Sequence, residues 1–260
     1  MKKGRKYPIG IQTFSRIIRD GYLYVDKTDL VWKLQNYATF VFLSRPRRFG
    51  KSLLTSTLES YFRGDRELFE GLKIMQYEKE WKRYPVIHLD LSGARHMPPQ
   101  GVSDELGLIL EKYEKIYGAN PKENTPGMRL SGLIDRAFEQ TGCQVAVIID
   151  EYDAPLLDVL HAEEQLKQMR EVMQEFYQRL KKQEPKIKFC FITGITKFSQ
   201  LSIFSTINNL MNVTMDPVFS TICGITENEL LTVMPDDIRE LASAYGESFE
   251  QMHERLKLRY

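Results

Sequence analysis

Four short apolar runs decide what this chain can fold into. They are ATFVFLS (38–44), PVIHLDLS (85–92), QVAVIID (144–150) and IKFCFITG (187–194). Each is of strand length and rich in β-branched or aromatic residues. None alternates cleanly with polar residues, the pattern of strands buried on both faces of a parallel sheet. The stretches between them have helical periodicity. GKSLLTSTLESYFRG places Leu53, Leu54, Leu58, Tyr61 and Phe62 at helical spacing, and VSDELGLILEKYEKIYG and AEEQLKQMREVMQEFYQRLKKQ are amphipathic. Strands alternating with helices specify an α/β fold, a parallel sheet with helices on both faces.

The texture changes after residue 225. GITENELLTVM sets Thr226 and Glu229 at the separation of a capping box, and the following sequence is polar and helix-rich up to Tyr260. We expect an α/β core over residues 1–225 and the beginning of a helical lid over 226–260, cut inside that subdomain. Composition narrows the function classes. The 36 basic and 35 acidic residues nearly cancel, for a net charge of +1, so any basic surface must be local. Cys143, Cys190 and Cys223 are far apart, which argues against a disulfide frame or zinc site and for reduced thiols in a cytoplasmic protein. The N-terminus MKKGRKYPIGIQTF lacks a signal-peptide apolar run, and no stretch approaches a membrane span. The four histidines are scattered, with no HExxH pairing and no catalytic triad pattern.

The first chemical signal is SRPRRFGKSLL (44–54). Gly50-Lys51-Ser52 ends like the phosphate-binding pattern G-x-x-x-x-G-K-[ST], with a strand before it and a helix after it. Such a loop turns backbone N–H groups toward phosphate oxygens at a helix N-terminus. Arg47, Arg48, Phe49, Gly50, Lys51, Ser52 and Leu53 are the candidate ATP-binding positions. Lys51 would bridge the β- and γ-phosphates and Ser52 would offer its hydroxyl to Mg²⁺. Arg45 stands where the pattern has glycine, and Pro46 biases it toward an extended backbone, so the loop entrance must differ from the standard form. For Arg45, Arg47 and Arg48 three roles stay open: phosphate contact or arginine finger, nucleic-acid contact, or a solvated loop tip.

The second signal is VAVIIDEYD, where an apolar strand ends in Asp150 and Glu151. An acid at that edge is the Walker B pattern: Asp150 would hold Mg²⁺ and Glu151 would polarise the attacking water. A catalytic glutamate there is typical of ATPases with an additional strand between the two Walker strands, and PVIHLDLS is the expected source of that strand. The third signal, FITGITKFS, offers Thr193 and Thr196 as γ-phosphate or water sensors and Lys197 as a further phosphate contact, with ordinary turn residues as the alternative for each. Thr193 joins Glu151 and Lys51 in the candidate catalytic set.

PIGIQTFSRIIRDGYLYVDKTDLV, SRPRRFGKSLL, VIIDEYDAPL and ITGITKFSQLSIFSTINNLMNVTMD with CGITENEL together resemble the bacterial AAA-ATPase-like family. Members carry a P-loop ATPase domain, commonly followed by a PD-(D/E)XK-nuclease-like domain. The RPRRFGKS form is typical of that family, so the resemblance implies a working site, with ATP and Mg²⁺ as ligands. It also implies that further lid sequence and the nuclease-like domain follow Tyr260, a domain through which DNA or RNA would be met. Homo-oligomerisation and the source of an arginine finger stay open, and the chain alone is expected to be a weak ATPase. Two other functions compete: a nucleotide-gated switch with little turnover, and a nucleic-acid-binding accessory module. YVDKT (24–28) either passes near the adenine, with Tyr24 and Val25 packing on the base, or is an N-terminal strand or cap on the sheet, with Thr28 or Asp29 capping the next helix. SIFSTINNL is expected to link the sensor strand to a final strand.

Overall fold

The computed structural model describes residues 5–195 and 209–259. The four apolar runs form β1 (Phe40–Ser44), β2 (Val86–Asp90), β3 (Val145–Asp150) and β4 (Ile187–Gly194), and a short β5 (Leu210–Asn212) completes the sheet. The strand order is β2-β3-β4-β1-β5 and every pairing is parallel. One expectation is corrected here. The strand between the GKS strand β1 and the acidic strand β3 is β4, not PVIHLDLS. β2 pairs only with β3, at the edge of the sheet. Its residues suit that place, since His88 is only half-buried and Asp90 is exposed, whereas β4 is buried over almost its whole length.

Alternation along each strand feeds two hydrophobic layers. Val41 and Leu43 of β1, Ala146 and Ile148 of β3, and Phe189 and Phe191 of β4 pack with α1 (Phe14–Arg19), α2 (Thr28–Gln35) and α3 (Lys51–Arg63). Phe40, Phe42, Val147, Ile149, Cys190 and Ile192 pack on the other face with α4 (Pro99–Tyr117), α5 (Pro126–Thr141), α6 (Ala154–Leu157) and α7 (Glu163–Lys182). The side-chain period of two in strands meets the 3.6-residue stripe of helices on both sides. Helix α5 carries clear signals of its own. The Thr125 hydroxyl accepts from the Met128 N–H, Pro126 occupies the first turn, and Gly142 closes the helix in the left-handed region.

The chain divides at Cys223/Gly224 into two compact units. The second holds α8 (Glu227–Val233), α9 (Pro235–Tyr245) and α10 (Phe249–Lys257) around Ile238, Ala242 and Met252. Thr226 with Glu229, and Ser248 with Gln251, make reciprocal capping boxes at α8 and α10. Among the described residues no helix is long and apolar enough to cross a membrane.

YVDKT proves to be a structural joint. Neither Thr28 nor Asp29 caps α2, which Thr28 opens without a side-chain cap; Asp26, two residues before it, accepts at Oδ1 from the Thr28 N–H (2.9 Å) and hydroxyl (2.7 Å). Its Oδ2 accepts from the Lys73 N–H at 2.7 Å, and Thr28 Oγ1 accepts from the Ile74 N–H at 3.0 Å. The pair therefore pins the 3₁₀ turn Lys73–Gln76 to the start of α2. The Tyr24 ring packs edge-on against Phe14 at 5.2 Å and its hydroxyl bonds Thr57. Asp26→Ala leaves two backbone N–H groups without their acceptor and is expected to destabilise the core by about 1–3 kcal/mol. Urea unfolding checks this: the midpoint should fall with the slope unchanged.

Candidate nucleotide site

The GKS turn joins β1 to α3. Gly50 lies at φ 87° and Arg48 at φ 66°, two left-handed positions within three residues. Reversals of this kind turn neighbouring N–H groups toward one side, which is how a chain builds an anion-binding concavity. Pro46, Arg47, Arg48 and Gly50 are exposed, and Phe49 is 46% exposed. Lys51 begins α3 and is the opposite, only 6% exposed, with its ammonium donating to the Arg45 and Pro46 carbonyls at 3.1 and 3.0 Å. Burial lowers the Lys51 pKa below that of an ordinary lysine, while the charges of Asp150, Glu151 and Asp153 pull it back up. A buried ammonium resting on weak carbonyl acceptors among carboxylates is well prepared for phosphate oxygens. Leu53, in the first turn of α3, is half-buried against the core.

Arg45 explains the altered loop entrance. Its Nη1 donates to the Ser44 and Thr214 carbonyls at 2.9 and 2.8 Å, and its Nη2 to the Phe219 carbonyl at 3.0 Å. Its own N–H donates to the Gly194 carbonyl at 3.2 Å. One guanidinium thus ties the loop to the segment after β5, which a glycine could not do.

β3 delivers Asp150 to the same edge. It is 3% exposed, and its Oδ2 accepts from the Thr55 hydroxyl at 3.3 Å. The same Thr55 hydroxyl lies 3.0 Å from the Ser52 carbonyl, so the first turn of α3 and the end of β3 share it. Burial raises the Asp150 pKa, the nearby Ser52 side chain opposes this, and Asp90, its register partner on β2, adds to the rise. This desolvated carboxylate, held by the Thr55 hydroxyl and with no cation bonded to it among the described residues, has the character of a divalent-cation ligand. Among the described residues no group of three or more His, Cys, Asp or Glu forms an all-protein metal cage. Magnesium suits such a place because it keeps waters and substrate phosphates as ligands.

Glu151 follows at φ 50°, a left-handed position for a non-glycine residue, with its N–H on Asp150 Oδ1 at 2.9 Å. Its Oε2 accepts from Arg95 Nη2 at 2.7 Å. Thr193 is fully buried, and its hydroxyl donates to the Leu43 carbonyl of β1 at 2.7 Å. That bond joins two strands inside the sheet. Thr196 and Lys197 lie outside the described residues.

Three contributors carried no motif. Arg95 sits beyond β2, in sequence without a recognisable pattern. Asp153 is 1% exposed, and its Oδ2 accepts from the Ile195 N–H at 3.1 Å. A Cβ on Gly194 would run into Asp153 Oδ1 and reach the Tyr152 ring at 2.5 Å, so the end of β4 requires glycine. The acidic spacing of DEYD was the available signal for Asp153. Cys223 is a buried thiol pushed up to about 11 by burial, with Arg45, Lys51 and Lys27 opposing the rise. Cys190 is also buried and Cys143 half-buried, and all three thiols are free.

A family model described as "Predicted AAA-ATPase" matches residues 8–204. A protein from Azotobacter chroococcum mcd 1, described as "Uncharacterized protein in vnfD 5'region", is 35% identical over 235 residues. That match covers 90% of this chain and 46% of the relative, so the chain spans about half the relative's length.

The raised Asp150 pKa has a consequence for stability. Well below the ordinary carboxylate range Asp150 is neutral in both folded and unfolded chains. As pH rises the unfolded carboxylate ionises first, so folding becomes progressively less favourable until the folded one ionises too. Asp150→Asn removes that penalty. The variant is expected to have a higher thermal midpoint than the parent at about pH 7, with the gain shrinking toward about pH 4. A lower midpoint at neutral pH, or a pH-independent gain, contradicts the desolvated-carboxylate account.

Proposed function

The chain belongs to the predicted AAA-ATPase family, and on that premise we propose that it binds Mg·ATP at the C-terminal edge of its sheet and hydrolyses the γ-phosphate. The observation that carries this reading is the approach of the helix that follows the GKS turn to the buried Asp150 at the end of β3: the Thr55 hydroxyl, three residues past Ser52, lies 3.3 Å from Asp150 Oδ2 and 3.0 Å from the Ser52 carbonyl. Two motifs about one hundred residues apart in sequence converge where the dipole of a thirteen-residue helix begins.

In this reading the backbone of residues 47–52 and the N-terminus of α3 receive the phosphates. Lys51 exchanges its loop carbonyls for β- and γ-phosphate oxygens and neutralises charge that grows as the bond to the leaving oxygen stretches. Ser52 and Asp150 would hold Mg²⁺, whose contribution is to neutralise and orient the phosphates. Glu151 accepts a proton from the water that attacks phosphorus, and the bridging P–O bond breaks to leave ADP and phosphate. Thr193 we assign to the strand pair instead of the chemistry, because its hydroxyl is already given to Leu43. Arg47, Arg48 and Phe49 remain at the exposed mouth, where they would meet the nucleotide or a partner. Residues 226–260 we read as the beginning of a lid subdomain. Driving or gating an attached nuclease-like effector is the use that the family resemblance suggests for this cycle, with nucleic acid met there and not at the P-loop.

A second reading, a nucleotide-gated switch with little turnover, is favoured by the ion pair between Glu151 and Arg95, which engages the carboxylate needed for water activation. Comparing single-turnover with steady-state hydrolysis separates a slow chemical step from slow product release.

Lys51→Ala is expected to remove most affinity for a fluorescent ATP analogue while the chain stays folded by circular dichroism. Unchanged affinity in the folded variant would sink the site assignment. Glu151→Gln is expected to keep Mg·ATP binding and to cut hydrolysis by roughly 10²-fold or more, as loss of a positioned catalytic group does. Hydrolysis at the parent rate would remove Glu151 from the mechanism.

A further inference from the structure

Arg95 is a motif-free side chain that touches Glu151, the residue assigned to water activation. It leaves a short 3₁₀ turn, Ser92–Ala94, just beyond β2. The turn is fastened on both sides. The Leu91 N–H donates to the Asp150 carbonyl at 3.1 Å, and the His96 N–H donates to Asp158 Oδ2 at 3.2 Å. The backbone of Arg95 is therefore fixed relative to Asp150, and only its side-chain torsions are free to move the guanidinium. Among the described residues that group makes one charge-assisted bond, Nη2 to Glu151 Oε2, and its Nε is buried without a hydrogen-bond partner. The pair is partly buried, with side-chain exposures of 30% and 24%. A guanidinium offers five donors in a planar fork that matches phosphate oxygens, so a single carboxylate contact with a buried orphan N–H leaves it under-used. Glu151 meanwhile is held on a left-handed backbone, a conformation that costs on the order of 1 kcal/mol or more and persists only when its surroundings enforce it. Glu151 also lies close enough to Lys51 for its charge to act on the ammonium, so the nucleotide's phosphates would lie within the field of both.

We propose that Arg95 contacts the terminal phosphate of bound ATP in cis, exchanging the Glu151 carboxylate for it and so freeing Glu151 to activate water. This rests on the Mg·ATP reading given above and adds a γ-phosphate contact to it. The exchange is favoured because the terminal phosphate carries more charge and more acceptor oxygens than a carboxylate, and because it satisfies donors that Glu151 leaves unmet. ADP lacks that phosphate and leaves the Arg95–Glu151 pair intact. Hydrolysis would then restore the pair and withdraw Glu151, which limits turnover to one event per binding cycle.

The test is equilibrium binding of Mg·AMPPNP and Mg·ADP to the parent chain, Arg95→Ala, Glu151→Gln and the double variant, with Lys51→Ala as the site control. Arg95→Ala is expected to weaken AMPPNP roughly tenfold or more, the scale of one lost charge-assisted hydrogen bond, and to leave ADP nearly unchanged. Unchanged ADP binding also reports that the variant is folded. Glu151→Gln, whose neutral amide holds the guanidinium less tightly, is expected to strengthen AMPPNP binding, and this gain should vanish in the double variant. Equal weakening of both nucleotides by Arg95→Ala, no weakening, or a Glu151→Gln gain that survives in the double variant overturns the exchange. If the parent binds neither nucleotide, or Lys51→Ala binds both as the parent does, the Mg·ATP reading itself falls and takes the exchange with it. If nucleotide binding depends on Lys51 while Arg95→Ala shows no ATP-over-ADP effect, only the exchange is lost.

Discussion

A parallel sheet buried on both faces has nowhere to carry polar chemistry except at its ends. In this chain β3 and the whole of β4 but Lys188 are enclosed by helices, and each alternate side chain is committed to one of two hydrophobic layers. Because every strand runs the same way, the segments leaving β1, β2, β3 and β4 emerge along a single edge. Those segments bring the GKS loop, Asp90, Asp150 to Asp153, and Gly194 to that edge. The hydrophobic layers hold the strands in register, and the register is what sets Asp90 beside Asp150 and Thr193 beside Leu43.

The consequence is a concentration of opposed charges in poor contact with water. Lys51 and Asp150 are both nearly buried, and burial shifts each toward its neutral form. Hydroxyls of Ser52 and Thr55 and carbonyls of the loop partly compensate, but none of these is a full counter-charge to Asp150. Left-handed Arg48 and Glu151 add backbone strain at the same edge. Polar groups held this way cost stability when unliganded and become favourable when a phosphate or divalent cation arrives, which is how a site is preorganised. The structural cross-links around the edge, Arg45 to Thr214 and Phe219, Asp153 to Ile195 and Leu91 to Asp150, keep it from relaxing.

Much of this was legible in the linear sequence. The four main strands lie within the four apolar runs, the α8 capping box lies at Thr226, and GKS stands between a strand and a helix as required. Local chemistry decides such features: a doubly buried strand must be apolar throughout, and a helix start needs an acceptor for its free N–H groups. Other features were misread or invisible for an equally physical reason. The strand beside β1 could not be chosen from sequence order, because pairing depends on where the crossover helices pack. That the Thr193 hydroxyl donates to the Leu43 carbonyl could not be read before its partner strand was known. Helix α5 was passed over although Thr125, Pro126 and Gly142 mark its ends.

By itself, then, the sequence determined the α/β class, the two Walker-like segments and the identity of Lys51, Ser52, Asp150 and Glu151 as the residues of interest. These follow from periodicity and short-range turn chemistry, which act over a few neighbouring residues. Only the tertiary structure decided that Arg45 is a clamp, that Asp26 and Thr28 form a joint with Lys73 and Ile74, and that Arg95 holds Glu151. Those contacts join residues 47 to 174 positions apart in the case of Asp26 and Arg45, and 56 in the case of Arg95. Side-chain hydrogen bonds of that range exist only once the strands have fixed which loops share an edge, so no local pattern of residues can encode them.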